Sequence, residues 1–178
     1  DVPLFTPKSM YDGSAGIGIF FIRLYEATGD TRWLTEAEEA AAHIIATKVG
    51  VEWYQTTLHS EVKGIIPVPG WAAGPYNGPV GEAYFLEDLY QVTGKQAYRD
   101  YVLYVADVLL EATVTDKRGL HWSDQEDITA DGGFIVFLDI LYRKTGIKKY
   151  LELAKEGLTY AMNIAVGDET GRLIPYQD

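Results

Sequence analysis

Hydrophobic positions along this chain alternate between two kinds of segment. Ile17 to Ala27, Glu82 to Val92 and Phe134 to Lys144 are apolar or aromatic over one wide face, the pattern of helices buried on most sides. Arg32 to Lys48, Gln96 to Thr113 and Lys148 to Ile164 instead carry apolar residues at three- and four-residue spacing with charges between them, which predicts amphipathic helices. Each buried-type segment precedes an amphipathic one, so the pattern predicts three inner and outer helix pairs.

The pairs are repeats. Leu24-Tyr25-Glu26-Ala27-Thr28-Gly29 recurs as Leu89-Tyr90-Gln91-Val92-Thr93-Gly94 and as Leu141-Tyr142-Arg143-Lys144-Thr145-Gly146, at offsets of 65 and then 52 residues. In the same register a glycine precedes each motif at Gly16, Gly81 and Gly133, and an aromatic follows it at Trp33, Tyr98 and Tyr150. The Thr-Gly step predicts the end of each inner helix, because glycine supplies the left-handed conformation that closes a helix C-terminus. The fold class expected is all-α, one domain over 1–178, with hairpin units at about 11–49, 76–114 and 129–166.

Return loops also recur, as Gly50-Val51-Glu52-Trp53, Gly119-Leu120-His121-Trp122 and Gly171-Arg172-Leu173-Ile174-Pro175. The first runs from Gly50 to Asn77 and is rich in proline and glycine, which predicts no regular helix through it.

Composition narrows the function. Fifteen Lys and Arg against 26 Asp and Glu give a net charge of −11, which repels phosphate backbones and anionic membrane surfaces. No nucleic acid or membrane partner is expected, and no apolar run approaches the ~20 residues that span a bilayer. The chain reads as soluble, and the sequence does not say whether it is cytoplasmic or secreted. There is no cysteine, which removes disulfides and thiolate metal sites.

Tyr11-Asp12-Gly13-Ser14-Ala15-Gly16-Ile17-Gly18, followed by Leu24-Tyr25 and Thr28-Gly29-Asp30, resembles the repeat of lanthionine synthetase C-like proteins. Glycosidases and polysaccharide lyases of the six-hairpin type share that layout. The resemblance implies an α/α toroid, of which three tandem hairpins would be part of a six- or seven-hairpin ring. Such a part leaves inner-helix surface uncovered, at Ile17, Phe20, Phe21, Phe134, Phe137 and Leu138 on this reading. Either a missing remainder of the toroid or a homodimer would cover it. In the family, two cysteines and a histidine hold zinc that activates a peptide thiol. The matching slots here are Tyr11-Asp12, Tyr76-Asn77 and Ile128-Thr129, so no zinc and no other cofactor is expected. His43, His59 and His121 share no ligand spacing.

If the inner helices start at one rim, Asp12, Asn77 and Asp131 gather there with Trp53, Trp71, Tyr76 and Trp122. Aromatic rings stack on sugar faces, and carboxylates bind hydroxyls or act as general acid and base. Asp12 and Asp131 are therefore the candidate catalytic residues, and Trp53, Trp71, Tyr76, Asn77 and Trp122 the candidate contacts to a saccharide or similar polar ligand. An enzyme on this plan would be glycoside hydrolase-like or lyase-like. Asp12 and Asp131 can equally be helix caps. A non-catalytic peptide-binding or scaffold domain is the alternative function. The run Asp124-Gln125-Glu126-Asp127 is a hard-cation candidate without calcium-loop spacing, or a solvated loop. Glu82, Glu87, Asp88 and Asp139 interrupt apolar helices and must be paired or face a cavity, with Arg23 in the slot equivalent to Asp88.

Overall fold

The computed structural model describes residues 8–58, 73–123, 130–168 and 170–173. Among them are seven helices, α1 (Ser14–Thr28), α2 (Thr31–Ala46), α3 (Val51–Leu58), α4 (Pro79–Thr93), α5 (Gln96–Glu111), α6 (Asp131–Thr145) and α7 (Lys148–Ile164). Four short strands complete the set: β1 (Val114–Asp116), β2 (Gly119–His121), β3 (Val166–Asp168) and β4 (Gly171–Leu173). The all-α expectation holds, with two antiparallel two-stranded ribbons added to it. The ribbons fall 52 residues apart, Val114 pairing with His121 as Val166 pairs with Leu173, so they too follow the repeat.

Helices α1, α4 and α6 have the same length and begin at the repeat offsets. All three close alike. Gly29, Gly94 and Gly146 sit at φ 69°, 69° and 72°, and their N–H groups donate to the carbonyls of Tyr25, Tyr90 and Tyr142 at 2.8, 2.8 and 2.7 Å. The preceding threonines add a second clasp. Thr28, Thr93 and Thr145 donate their hydroxyls to the carbonyls four residues back, at 2.6, 2.8 and 2.7 Å. Each hydroxyl also accepts the N–H two residues on, from Asp30, Lys95 and Ile147. One side chain thus ties the end of one helix to the start of the next and fixes the angle between them.

α1 packs on α2, α4 on α5 and α6 on α7, while α4 lies against both α1 and α6. Helix α4 is accordingly the most enclosed, with Val80, Ala83, Phe85, Leu86 and Leu89 fully buried in one continuous core. The repeat glycines permit the close approach of the segments that lead into the helices. A Cβ on Gly16 would lie 2.2 Å from the Met10 carbonyl oxygen, and one on Gly81 at the same distance from the Pro75 carbonyl oxygen, the equivalent atom 65 residues on.

Two expectations change. The stretch after Gly50 does form a helix, α3, because no proline or glycine falls between Val51 and Leu58; Tyr54 and Leu58, four residues apart, are its buried anchors. Phe134, Phe137 and Leu138 are buried rather than open, since their face of α6 turns back onto the core. Phe21 is half-buried and stacks on Trp33 at 5.8 Å.

Charges in the apolar helices are all paired. Glu87 accepts from Gln91 at 2.8 Å and Arg99 at 2.7 Å and lies 3.1 Å from the Lys144 ammonium, joining α4, α5 and α6. Arg23 bridges to Asp88 at 2.7 Å between α1 and α4, and Arg143 to Asp139 within α6. The last two pairs are exposed and contribute little to stability.

Candidate functional site

The starts of α1, α4 and α6 are drawn together by backbone and side-chain packing. Tyr11 N–H donates to the Tyr76 carbonyl at 3.0 Å. The Met10 side chain lies against Gly81, and the Pro75 ring covers Gly133 so closely that a Cβ there would sit 2.4 Å from its Cδ. The lead-in segments of the first two units therefore rest on the glycine of the unit that follows.

A shallow cavity of about 360 Å³ opens at this edge, lined by Met10, Tyr11, Asp12, Gly13, Gly16, Ile17 and Phe20. Its aromatic walls are open to solvent: Tyr11 is 79% exposed and Phe20 58%. Tyr76, 64% exposed, lies outside the lining and is joined to Tyr11 through the backbone. Asp12 is exposed and held in place, its Oδ1 accepting the Ser9 hydroxyl at 2.5 Å while its own N–H donates to Ser9 Oγ at 3.0 Å. That bond orients one carboxylate oxygen and leaves the carboxylate at the solvent boundary, where it can accept ligand hydroxyls. Tyr11 is absent from the ligand contacts expected from sequence, although its offset of 65 residues from Tyr76 marks it as the same position in the preceding unit.

Asp131 and Trp122 lie elsewhere in character. Both are fully buried, and Asp131 Oδ1 accepts the Trp122 backbone N–H at 2.7 Å. The indole N–H of Trp122 donates to the Leu109 carbonyl at 2.8 Å, and its ring meets Phe134 edge-on at 5.5 Å. These contacts give the pair a structural occupation, fastening the segment after β2 to the start of α6. Trp53 is half-buried and edge-on to Tyr54, and Asn77 is half-buried at the turn before α4. Trp71, His59 and the acidic run from Asp124 to Asp127 lie outside the described residues.

A second polar cluster lies inside the protein, at Glu82. Its carboxylate is fully buried, accepts the Tyr101 hydroxyl through Oε2, and has the Lys8 ammonium 3.6 Å from Oε1, an ion-pair distance rather than a hydrogen bond. Lys8 Nζ instead donates to the Thr47 carbonyl at 2.7 Å. Burial pushes the Glu82 carboxyl above its ordinary value of 4.5, and Lys8 and Tyr101 offset this only in part. Burial and the neighbouring Glu82 push the Tyr101 and Tyr54 hydroxyls upward in turn.

Among the described residues, no three His, Cys, Asp or Glu side chains gather to hold a metal ion. His43 is exposed on α2, whereas His121 is buried and stacked on Tyr160 at 4.6 Å. No described helix is long and apolar enough to cross a membrane. The chain matches no protein-family model and no curated protein sequence.

Proposed function

We propose that this chain is a segment of an α/α toroid, similar to lanthionine synthetase C-like and six-hairpin proteins but without their metal ligands, and that it binds a saccharide or similar polar ligand at the Tyr11–Asp12–Tyr76 edge. Three helix pairs closed by the same Thr-Gly clasp, with α4 packed between α1 and α6, support the toroid reading. The observation that carries the ligand reading is the open cavity, which sets the exposed rings of Tyr11 and Phe20 beside an oriented, solvent-facing carboxylate. Rings supply stacking surface for the apolar face of a sugar, and Asp12 supplies an acceptor for its hydroxyls.

Binding is better supported than hydrolysis. Glycoside cleavage uses two carboxyl groups roughly 5–10 Å apart across the scissile bond. Asp12 is the one carboxylate among the described residues that line the cavity, and Asp131 is buried and engaged with Trp122. The second reading, a non-catalytic scaffold domain, is favoured by one specific observation: Ile17 and Phe20 on α1 are more than half exposed.

Calorimetric titration of neutral and acidic oligosaccharides tests the proposal. Tyr11→Ala and Tyr76→Ala should each weaken binding about tenfold, the loss of roughly 1.4 kcal/mol of stacking. Absence of binding by the wild-type chain across the panel would leave the scaffold reading in its place.

A further inference from the structure

Asp12 is the one charged residue in the described lining of the cavity, and the described residues leave that charge unmatched. The two basic residues nearest to it in the chain are engaged elsewhere. Lys8 is 4% exposed, donates through Nζ to the Thr47 carbonyl at 2.7 Å and lies 3.6 Å from Glu82 Oε1. Arg23 is held by Glu26 at 2.8 Å and by Asp88 at 2.7 Å. The side-chain partner of Asp12 is instead Ser9, a neutral hydroxyl that donates to Oδ1; among the described residues no cation reaches either oxygen.

Beside this carboxylate the exposed rings of Tyr11 and Phe20 stand in the same lining, and an aromatic face is the negative side of the ring's quadrupole. Carboxylate and ring faces therefore attract the same kind of group, a cation. The net charge of −11 adds a long-range bias in that direction and opposes an anion. A neutral hydroxyl gains little over water, since it exchanges one hydrogen bond to solvent for one to Asp12. A protonated amine makes the same hydrogen bond and adds charge attraction to Asp12 and to the rings.

Resting on the saccharide reading of this edge, we infer that the sugar it selects is a cationic one, an amino sugar whose protonated amine pairs with Asp12 while its ring stacks on Tyr11. Amino sugars then rank above neutral sugars, and neutral sugars above uronic acids. The cavity is shallow and open, so the pair is screened by solvent, and the selectivity is modest and sensitive to salt.

Calorimetric titration of two glucosamine tetramers, one with free amines and one fully N-acetylated, isolates the charge, because the sugar rings and their number are the same. With the amines protonated and at low salt, the wild-type chain should bind the free-amine tetramer about tenfold more tightly, as expected for one exposed ion pair together with one exposed cation–π contact. Raising the salt to about 1 M, where the screening length falls to about 3 Å, should shrink that preference. Asp12→Asn keeps an oxygen for the Ser9 hydroxyl, should leave the circular dichroism unchanged, and should cut the preference at least about threefold. A tetramer of lysine carries the cations without the sugar rings and should bind more weakly than the free-amine tetramer. Equal binding of the two glucosamine tetramers, tighter binding of the acetylated one, or a preference that Asp12→Asn leaves intact overturns the inference while the saccharide reading stands. Tetralysine that binds as tightly as the amino sugar also overturns it and marks the edge as a site for a cationic peptide. Binding of neither glucosamine tetramer removes the saccharide reading and this inference with it.

Discussion

The carboxylate of Asp131 accepts the backbone N–H of Trp122 at 2.7 Å, with both residues fully buried. A buried N–H that loses its acceptor costs about 1–3 kcal/mol, more than the net contribution of an ordinary hydrogen bond. Asp131→Ala should therefore destabilise the protein by about 2 kcal/mol in urea unfolding, while Asp131→Asn, which keeps a carbonyl acceptor, should lose less. Ligand binding at the Tyr11 edge should survive in whatever fraction stays folded. A fully stable Asp131→Ala that no longer binds ligand would instead make Asp131 a site residue.

Glycine is required at two kinds of position for two different reasons, and the costs should separate. Gly94 has φ 69° and open space, with no atom within 4 Å of where a Cβ would stand, so Gly94→Ala meets only the conformational cost of the left-handed region, about 1–2 kcal/mol. At Gly81 the backbone is helical, but a Cβ would lie 2.2 Å from the Pro75 carbonyl oxygen, which is backbone and cannot swing aside. Gly81→Ala should cost well over twice as much as Gly94→Ala, approaching the range where folding fails. Paired thermal melts would check the order, and equal losses would show that the Pro75 segment yields.

The repeat made most of the fold legible in the sequence. Leu-Tyr-x-x-Thr-Gly marks a helix end through chemistry local to six residues, so the ends at Thr28, Thr93 and Thr145 follow from the chain alone. What the sequence could not show was direction. Trp122 and Tyr76 are both aromatic residues in loops near a helix start, yet one is fully buried and the other 64% exposed. The difference comes from the ribbon of β1 and β2, which carries Trp122 inward between α6 and α7, where Gly157 leaves room for its ring. Phe137 and Phe20 likewise share a register position, yet Phe137 is 2% exposed against Tyr84 of α4 while Phe20 is 58% exposed. The Arg23–Asp88 bridge was legible because the two residues hold the same register position on neighbouring helices.

Glu82 occupies the register position of Ile17 and Phe134, an apolar slot in the other two units, and this sets how stability should depend on pH. Its folded-state pKa lies above the ordinary 4.5, chiefly because burial disfavours the charged form. The folded state therefore binds the proton more tightly than the unfolded state does. By linkage, the stabilising contribution is fully present below the unfolded value and is lost as pH rises through the folded one. Glu82→Gln cannot titrate, and its amide oxygen can still accept the Tyr101 hydroxyl. The variant also loses the attraction to Lys8, which sets a constant offset but not a slope, as long as Lys8 stays charged. The stability of Glu82→Gln relative to wild type should thus shift in the variant's favour between about pH 4 and pH 7. Urea unfolding of both proteins across that range measures the difference directly and cancels the titration of every group they share. A difference that stays flat would mean that Lys8 and Tyr101 together balance burial at Glu82, and one that moves toward the wild type as pH rises would mean that they outweigh it.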